Sequence, residues 1–416
     1  MTPTDRANLT LDSFGGTRGP IAARPRATTT VADRWALARL QRALEPARIR
    51  LVLWDGACQY RSPLAPVSTV ELHDRATLFQ LLWNRDVAFG EAYSAGRLDV
   101  HGDLLSSLEM LYRARSRRPV RGRPHPSLLR RTTPHRSRHD VHHHYDLGND
   151  FYASWLDDEM VYTCAYFREP DMTLEEAQHA KMRHVCRKLR LRPGDRVVEA
   201  GCGWGSLALH MARHHGVHVT AYNISREQIR YARERARREG LTDRVEFVED
   251  DYRTVEGRFD VFVSIGMLEH VGLTQFRTLG EVIDRTLAPE SGRGLLHFIG
   301  RDFVHPLNAW IRKRIFPGGY PPTLAQVTRR ILEPNGFSVL DVENLRLHYA
   351  RTLQHWRARF DGSAASTAAA FDESFVRTWR LYLAGSQAAF TTGWMQLFQV
   401  SFARNQNNDV AWTRPV

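Results

Sequence analysis

Three glycines alternate with other residues near the middle of the chain, directly after a short apolar stretch. Residues 197–205 read Val-Val-Glu-Ala-Gly-Cys-Gly-Trp-Gly, and a segment with helical periodicity follows. This pattern predicts a buried strand, a tight turn and a helix start. Because glycine has no Cβ, Gly201, Gly203 and Gly205 let a ligand approach the backbone closely. The spacing differs from the dinucleotide fingerprint. With Glu199 before the first glycine, it suits S-adenosylmethionine (SAM), which has no phosphate to cradle.

Further polar residues follow other predicted strands. The strand patterns lie at 218–222, 245–248, 259–265, 295–299, 337–342 and 398–402. Strands alternating with helices at this spacing indicate a doubly wound parallel sheet, which binds ligands beyond the carboxyl ends of its strands. Five side chains at or just past such ends should therefore converge on one crevice. They are Glu199, Asn223, Asp251, Glu269 and His297.

The helices that must support these strands also have sequence signals. A helix over 174–189 precedes the glycine-rich turn, and Ser225 and Gln228 form a predicted capping box for a helix that ends at Gly240. Residues 1–30 are predicted to be disordered. A small domain over 31–112 is expected to contain helices at 32–44 and 75–82 and strands at 49–54 and 70–72. No catalytic cluster is apparent in that domain.

Composition limits the class of protein. The 416 residues suffice for two domains or one large one, and 43% hydrophobic with 25% charged residues is typical of a globular protein. The four cysteines form no Cys-x-x-Cys pair, which favours a reduced, cytosolic setting. No apolar run approaches the ~18 residues of a membrane span, and the N-terminus lacks a signal core. The sequence therefore predicts a soluble or peripheral protein.

The net charge of +12 is concentrated near the N-terminus. Residues 1–140 contain 23 Arg against 13 acids, and residues 113–138 contain ten arginines, four prolines and no acid. Such a segment cannot fold alone, so it is predicted to be a linker. It is either a solvated spacer or a site of attraction to polyanions such as an anionic membrane. No nucleic-acid partner is expected, because no binding module and no stacking aromatic residue is present in it.

Several ordered motifs resemble the cyclopropane fatty-acyl-phospholipid synthase family. Between residues 144 and 228 they are His-Tyr-Asp-Leu-Gly-Asn-Asp from 144, Tyr-Thr-Cys-Ala-Tyr-Phe from 162, Glu-Ala-Gly-Cys-Gly-Trp-Gly from 199 and Asn-Ile-Ser-Arg-Glu-Gln from 223. Further along they are Gly-Met-Leu-Glu-His-Val-Gly from 266, Leu-Leu-His-Phe-Ile-Gly from 295, Phe-Pro-Gly-Gly-Tyr-Pro-Pro from 316 and His-Tyr-Ala-Arg-Thr-Leu-Gln-His-Trp from 348. The similarity runs from about residue 85 to 404 and includes the Gly-Glu-Ala-Tyr element at 90–93.

The resemblance implies a fold and a reaction. The expected fold is the class I SAM-dependent methyltransferase fold, an α/β fold with a seven-stranded, mostly parallel, doubly wound sheet. A smaller N-terminal α+β domain, associated with lipid, would precede a catalytic domain at 139–416. The expected enzyme uses SAM to build a cyclopropane on the cis double bond of unsaturated phospholipid acyl chains. It would be cytoplasmic, in peripheral contact with anionic membrane, with a homodimer among the oligomeric states left open.

Site residues follow from the resemblance position by position. The implied SAM contacts are Tyr162, Thr163, Glu199, Gly201, Gly203, Trp204, Gly205, Asn223, Ser225, Gln228, Asp251 and Tyr252. The implied catalytic pocket, which holds bicarbonate in the family, comprises Cys164, Glu269, His297, Ile299 and Tyr349. Two positions depart from the family pattern. Glu199 replaces a usual Asp, which should leave methionine-moiety binding intact. Ser386 replaces a cysteine of some members, so the enzyme would be inactive if that thiol were required.

The residues also suit this chemistry on physical grounds. An alkene is a poor nucleophile, so a sulfonium methyl must be held in line with it in a dry site. The resulting carbocation can be stabilised by aromatic faces, here those of Tyr162, Tyr166, Phe167, Trp204 and Tyr349. A small bound base is safer than a protein carboxylate, which the cation could alkylate. Glu269 and His297 would then orient that base.

Each catalytic candidate also has a purely structural alternative. Glu269 could stabilise a helix N-terminus, and His297 could be a satisfied core histidine. Cys164 could be a small buried hydrophobe and Tyr349 could simply pack. No metal is expected, because adjacent histidines at 142–144 cannot all face one ion. Cys164, Glu269 and His297 could in principle bind zinc, but no pattern of residues that would orient such ligands supports it.

Two other classes of function remain open at this stage. The first is a SAM enzyme of the same family that gives a methyl- or methylene-branched acyl chain, or that methylates a small-molecule amine. The second is a non-catalytic lipid-binding relative, for which Ser386 is a hint of decay. The intact set of predicted anion-pocket residues speaks against decay. A lipid enzyme needs an apolar tunnel that opens to the surface, whereas an amine methylase needs a closed polar pocket.

Overall fold

The structure, a computed structural model, describes residues 28–114 and 147–409. The predictions for residues 1–27, for 115–138 of the linker and for the histidines at 142–144 lie outside these ranges. No helix of the described residues is long and apolar enough to cross a membrane.

Strands and helices alternate through much of the described chain. The strands are β1 (Ile49–Val52), β2 (Ser68–Leu72), β3 (Leu98–His101), β4 (Arg196–Ala200), β5 (His218–Asn223), β6 (Val245–Glu249), β7 (Val261–Ile265), β8 (Arg293–Gly300), β9 (Phe337–Asn344) and β10 (Gln396–Arg404). The first seven α-helices are α1 (Val31–Leu44), α2 (Arg75–Trp83), α3 (Arg85–Ser94), α4 (Leu104–Ala114), α5 (Asn149–Ala153), α6 (Leu174–Leu189) and α7 (Ser206–His215). The others are α8 (Arg226–Arg238), α9 (Leu268–Val271), α10 (Phe276–Thr286), α11 (Ala309–Arg314), α12 (Leu324–Val327), α13 (Arg346–Gly362), α14 (Ala364–Ala370) and α15 (Glu373–Thr391). Short 3-10 helices lie at Glu45–Ala47, Tyr252–Thr254, Leu273–Gln275 and Glu333–Asn335, and a π-helix at Thr328–Leu332.

The larger of two compact units contains a seven-stranded sheet. Its described residues are 147–307, 316–352 and 395–409. The strand order is β6-β5-β4-β7-β8-β10-β9, and β10 runs antiparallel to both of its neighbours while the other pairs are parallel. The predicted seven-stranded, mostly parallel sheet is confirmed.

Both faces of this sheet are covered. Val197 of β4 belongs to a hydrophobic cluster with α6 and α7, whereas Val198 belongs to a second cluster with α10 on the other face. All five residues of β7 are buried. Central strands covered on both faces read as continuous apolar runs rather than as alternating ones. That explains why the strands were recognisable from sequence.

The smaller unit combines three parts of the chain. Its described residues are 28–114, 308–315 and 353–394. A three-stranded sheet pairs β1 with β2 in parallel and β2 with β3 in antiparallel fashion. The predicted small domain at 31–112 makes no allowance for the two later segments, which fall within the predicted catalytic domain at 139–416.

The Gly-Glu-Ala-Tyr element explains how the three parts join. A Cβ on Gly90 would lie 2.4 Å from the indole of Trp310, so only glycine fits where α11 packs on α3. Glu91 accepts a hydrogen bond from Nε of Arg314 at 2.8 Å, and the guanidinium of Arg377 lies 4.4 Å from the ring of Tyr93. The element is therefore structural in this unit.

Two local expectations need correction. Strand β3 was not predicted, because it has only four residues and only one of them is buried, which leaves no alternating apolar pattern. Only half of the Ser225 capping box forms: the Ser225 hydroxyl accepts from the backbone N–H of Gln228. The side chain of Gln228 bonds to Asn223 instead.

Candidate active site

One cavity lies at the carboxyl ends of β4, β5, β6 and β7, within the larger unit. Ten of the twelve predicted SAM residues line it. They are Tyr162, Thr163, Glu199, Gly201, Gly203, Trp204, Asn223, Gln228, Asp251 and Tyr252. Gly205 and Ser225 do not line it. Parallel strands end on the same edge of a sheet, which is why Glu199 and Tyr252, 53 positions apart in sequence, meet here.

The three glycines of the turn serve different purposes. All have positive φ, between 55° and 89°, which disfavours other residues. A Cβ on Gly205 would lie 2.6 Å from the ring of Phe247, so this glycine permits close packing of α7 on the sheet. A Cβ on Gly203 would meet nothing within 4 Å. Since Gly203 also lines the cavity, its bare backbone leaves room for a ligand.

Asn223 connects the glycine-rich turn to the end of β5. Its Nδ2 donates to Oε1 of Gln228 at 2.7 Å and to the carbonyl of Gly203 at 3.2 Å. Its Oδ1 accepts from the backbone N–H of Ser225 at 3.2 Å. Ser225 in turn caps α8. Ser225 is thus placed one layer behind the cavity, where it holds Asn223 and Gln228 in position.

Burial controls the charge of Glu199, which lines the cavity. Glu199 is buried, which raises its pKa to about 7, although the nearby ammonium of Lys181 acts in the opposite direction. Oε2 of Glu199 is buried and has no hydrogen-bond partner among the described residues. Nζ of Lys181 donates to the hydroxyl of Thr163 at 3.1 Å. A carboxylate at this place can accept a cationic group of a ligand, which would restore its ionised form.

Asp251 is held at the end of β6 by its neighbour. The guanidinium of Arg253 donates from Nε to Oδ1 at 2.7 Å and from Nη2 to Oδ2 at 2.8 Å. This bidentate pair fixes the carboxylate plane, and Oδ1 also accepts the backbone N–H of Arg253 at 3.0 Å. The adjacent Tyr252 is buried, which raises the pKa of its hydroxyl and keeps it neutral.

Aromatic side chains form one wall of the cavity. Trp204 is held by a hydrogen bond from Nε1 to Oδ1 of Asn149 at 2.8 Å, and its ring centre lies 5.0 Å from that of Tyr152. Tyr162 packs against Tyr152 and Trp155 at 5.4 and 5.2 Å. Two of the five aromatic residues suggested as cation stabilisers, Tyr162 and Trp204, therefore line the cavity.

Two other suggested cation stabilisers have their ring faces occupied. The ring of Tyr166 stacks against the imidazoles of His184 and His348, at 4.2 and 4.8 Å. The ring of Phe167 carries the guanidinium of Arg351 at 5.2 Å. Neither residue lines the cavity. These stacking contacts join residues that are far apart in the sequence, so they cannot be read from residue type.

Three members of the predicted anion pocket are grouped at the end of β8. Oε1 of Glu269 accepts the backbone N–H of Ile299 at 2.5 Å, so that amide serves Glu269. Oε2 of Glu269 is buried without a partner among the described residues, and burial raises the pKa of the carboxyl to about 7. His297 lies two residues before Ile299 on the same strand.

His297 is fixed in one neutral form. Nε2 of Gln399 can only donate, and it lies 2.9 Å from Nδ1 of His297, so Nδ1 accepts. Burial lowers the pKa of His297 to about 3, so its Nε2 carries the single ring proton. This Nε2 is buried without a partner in the described chain. His297 on β8 thus has an unused donor, and Glu269 on α9, whose other oxygen bonds to Ile299 of the same strand, has an unused oxygen.

The remaining two members, Cys164 and Tyr349, both lie near the backbone carbonyl of Leu345. Sγ of Cys164 lies 3.1 Å from the carbonyl of Ala165 and 4.0 Å from that of Leu345. The backbone N–H of Tyr349 donates to the same Leu345 carbonyl. Burial raises the pKa of the Cys164 thiol, so it stays protonated. None of the five predicted anion-pocket residues lines the cavity.

Ser386 lies outside the cavity, and several residues that line the cavity were not predicted. Ser386 lies on α15 in the smaller unit, whereas the cavity is lined entirely by the larger one. Lys181, Met267 and His270 line the cavity but were not predicted. Lys181 could have been found from sequence. It lies seven positions after Leu174 and four before Val185, so it shares the buried face of α6 with them.

Comparisons with known proteins extend these observations. Residues 132–400 match the protein family described as mycolic acid cyclopropane synthetase. A probable fatty acid methyltransferase of Pseudomonas putida is 38% identical over 397 residues, which are 91% of this chain and 98% of that protein. The cyclopropane-fatty-acyl-phospholipid synthase of Escherichia coli strain K12 is 42% identical over 272 residues, 65% of this chain and 69% of that protein. The solved structure of mycolic acid cyclopropane synthase CmaA1 with SAH and CTAB matches with a TM-score of 0.62 and 29% identity, covering 66% of this chain and 99% of that one.

Proposed function

Because this chain belongs to the mycolic acid cyclopropane synthetase family and has the predicted class I SAM-dependent methyltransferase fold, we propose that it converts the cis double bond of an unsaturated phospholipid acyl chain into a cyclopropane. It is a SAM-dependent methyltransferase. The observation that carries the cyclopropane proposal is the pair of unused polar atoms at the end of β8. Oε2 of Glu269 and Nε2 of His297 are both buried and unpartnered among the described residues.

The cavity fits SAM, which supplies the methyl group when bound. Gly203 leaves its backbone open to the cavity, and Glu199 provides an unused carboxylate oxygen for a cationic group. Asp251, whose carboxylate is held in place by Arg253, lines the cavity beyond the carboxyl end of β6. Tyr162 and Trp204 present aromatic surface to the same space, and aromatic faces stabilise a nearby cation by roughly 0.5–2 kcal/mol each.

Bicarbonate is the proposed base, and it would remove the proton whose loss closes the ring. The residues at β8 suit a small oxyanion, because the Nε2–H of His297 is a free donor. Glu269, with a pKa of about 7, can donate or accept a proton at Oε2. Because Gln399 donates to Nδ1 of His297, the proton stays on Nε2 and that atom cannot act as an acceptor. Ile299 acts through Glu269, since its amide is already engaged there.

The product of the reaction tests this proposal directly. The protein is incubated with SAM and vesicles of a cis-unsaturated phospholipid, and the extracted lipid is examined by proton NMR. Upfield cyclopropyl signals at the expense of vinylic ones are expected. Unchanged lipid after incubation with protein that binds SAM would overturn the lipid proposal.

A methyl- or methylene-branched product is the second candidate. It is favoured by the Pseudomonas putida relative, which is named as a fatty acid methyltransferase and matches almost the whole chain. Both products of methylene addition have the same mass, so NMR is needed. New exocyclic vinyl signals without cyclopropyl signals would identify a methylene branch.

Contact with an anionic membrane is also part of the proposal. The Arg-rich linker that suggested it lies mostly outside the described residues, but the smaller unit offers a second surface. Trp35 on α1 is 59% exposed, and Phe79 and Trp83 on α2 are 38% and 94% exposed. Phe79 and Trp83 are four residues apart and therefore share a helix face. Aromatic residues of this kind favour the membrane–water interface.

The charges on this surface match an anionic bilayer. Every exposed ionisable residue on α1 and α2 is an arginine: Arg34, Arg39, Arg42 and Arg75. The guanidinium of Arg39 lies 5.9 Å from the ring of Trp35, so positive charge and aromatic surface occur side by side. The one acid on these helices, Asp33, is buried and paired with Arg75 at 2.8 Å.

Vesicle sedimentation distinguishes binding through this surface from nonspecific adsorption. Trp83→Ser should weaken binding to anionic vesicles about tenfold, the order expected for removing one large apolar side chain from the interface. Leu347→Ser, at a 61% exposed apolar residue of the larger unit, is the matched control. Raising salt from about 0.05 to 0.5 M should weaken binding of all variants, since salt screens the arginines. Equal binding of Trp83→Ser and the parent protein would contradict the proposed surface.

A further inference from the structure

A cysteine and two histidines lie together on α6 and α7, apart from the cavity. Cys186 is on α6, and His210 and His215 are on α7. One ligand atom of each lies within 4.8 Å of the others. None of the three lines the cavity or belongs to the set of residues proposed for methyl transfer.

The cluster contains a buried nitrogen that lacks a partner. Cys186 is 1% and His210 7% exposed. Nε2 of His210 has no hydrogen-bond partner among the described residues. A buried polar atom left in this state costs roughly 1–3 kcal/mol, so most such atoms have a bonding partner. Burial, with nearby His214 and His215, lowers the pKa of His210 to about 3, which keeps its imidazole neutral.

We propose that Cys186, His210 and His215 form a binding site for a zinc-type divalent ion. One thiolate and two imidazoles are ligands that suit zinc, whereas magnesium and calcium prefer oxygen. Three protein ligands leave a fourth, tetrahedral position for water. On binding, the Cys186 thiol loses its proton to solvent, because thiolate is the coordinating form.

The geometry requires only local adjustment. Zinc bonds of about 2.0–2.3 Å place ligand atoms roughly 3.3–3.8 Å apart in a tetrahedron, against the upper limit of 4.8 Å found here. His215 is the last residue of α7, and Gly216 ends the helix with φ of 63°, so the His215 side chain is not confined by a further turn. Arg183 and His179 of α6 lie close enough to lower the pKa of His210, so their positive charge would also repel a bound cation. The Cys186 thiolate would offset this repulsion.

The location suggests what the ion would do. Helix α6 also carries Lys181, and α7 begins at Ser206, both of which line the cavity. An ion held by Cys186, His210 and His215 would cross-link these two helices behind the glycine-rich turn. This role is independent of methyl transfer, so the two proposals can fail separately.

Cobalt substitution tests the site on tag-free, chelator-treated full-length protein. One equivalent of Co²⁺ should produce a thiolate-to-cobalt charge-transfer band and visible bands typical of four-coordination, and Zn²⁺ should displace both. The histidines at 142–144 offer no thiolate, so the charge-transfer band excludes them. Cys186→Ser should lose the band, and Cys58→Ser, at the exposed cysteine, should keep it.

A second variant covers the case in which Cys186→Ser does not fold. His215 is only half-buried, and His215→Gln should weaken Co²⁺ binding by at least tenfold while the protein stays folded. Zinc should raise the melting temperature of the parent protein and not that of His215→Gln. Absence of a charge-transfer band in the parent protein, or an undiminished band in folded Cys186→Ser, would overturn the proposal.

Discussion

The side-chain amide of Gln399 donates to Nδ1 of His297 at 2.9 Å and thereby decides which imidazole nitrogen carries the proton. The two residues are directly paired across the antiparallel strands β10 and β8. Gln399 is fully buried. The identity of residue 399 therefore sets the chemical character of the His297 Nε2 atom.

Replacing Gln399 should disturb catalysis through His297. In Gln399→Glu the new carboxylate would accept a hydrogen bond from Nδ1–H and so favour a charged imidazole. Turnover should fall by about 10–100-fold, the usual cost of losing a residue that orients a catalytic group, and the pH–rate profile should shift. SAM affinity should stay within about threefold. Ser401→Ala, two residues along β10, serves as the control, and a Gln399→Glu enzyme with the parent profile would contradict the role given to this pair.

Glu269 should matter for turnover more than for SAM binding. Its Oε2 atom is unused in the described chain, and its proposed task is to hold the base beside the acyl chain. Glu269→Gln should lower turnover by about 100-fold or more, the scale of lost acid–base assistance. Glu281→Gln, at an exposed glutamate of α10, is the matched control. Turnover of Glu269→Gln within about threefold of the control would assign Glu269 a purely structural role.

Gly203 should be required for SAM binding without being required for folding. A valine there would project into the cavity, where a Cβ now meets nothing within 4 Å. SAM affinity, measured by calorimetry, should become undetectable in Gly203→Val. Gly194→Val is the matched control, because Gly194 also has positive φ and open surroundings but does not line the cavity. Equal loss of affinity in both variants would point to backbone strain rather than to occlusion.

The two buried glutamates should make the SAM-free protein less stable as pH rises. Burial raises the folded-state pKa of both Glu199 and Glu269 from 4.5 to about 7. The folded state therefore binds more protons than the unfolded state between these values, so stability present below about pH 4.5 is lost as pH passes 7. Each shift corresponds to roughly 3 kcal/mol at most.

Urea denaturation of Glu199→Gln at pH 5 and pH 8 measures this effect. The loss of unfolding free energy between the two pH values should be smaller than in the parent protein. The difference between the two proteins isolates Glu199 from other titrating groups. Glu199→Gln should also remove the rise in SAM affinity with pH that an ionised Glu199 gives a cationic ligand. Identical pH dependence in both proteins would exclude a titrating Glu199.

Ser386 should be dispensable. It lies on α15 of the smaller unit, and none of the cavity-lining residues belongs to that unit. Ser386→Ala should leave turnover within about twofold and SAM affinity unchanged. An inactive but folded Ser386→Ala enzyme would reopen the role of the cysteine that some family members carry here.

Much of the larger unit could be predicted from sequence because its signals are local. The buried strands β4 and β7 are continuous apolar runs, and the glycine at 203 marks the turn that faces the ligand. The motifs also carried the family assignment. The cofactor side of the site followed, since residues at strand ends must share one edge of the sheet.

What escaped prediction depends on contacts between distant residues. Glu91 and Arg314 pair across 223 positions, and no periodicity in either segment indicates the other. Tyr166 looked suited to stabilise a cation, but its stacking on His348, 182 residues later, could not be foreseen. Ile299 was expected in the anion pocket, but the hydrogen bond from its backbone amide to Glu269, 30 residues earlier, was not foreseen.

The composition of the smaller unit has a consequence for protein synthesis. Its first 87 described residues leave the ribosome early, but Trp310 reaches them only after the chain has grown by about two hundred residues. Helix α15, which packs on α3 and α4, follows later still. Cotranslational folding usually proceeds from the N-terminus, domain by domain. Here the N-terminal segment cannot complete its packing during synthesis, because the faces of α3 and α4 that contact α15 stay uncovered. We therefore expect chaperones that bind apolar helices to be needed until synthesis is nearly complete.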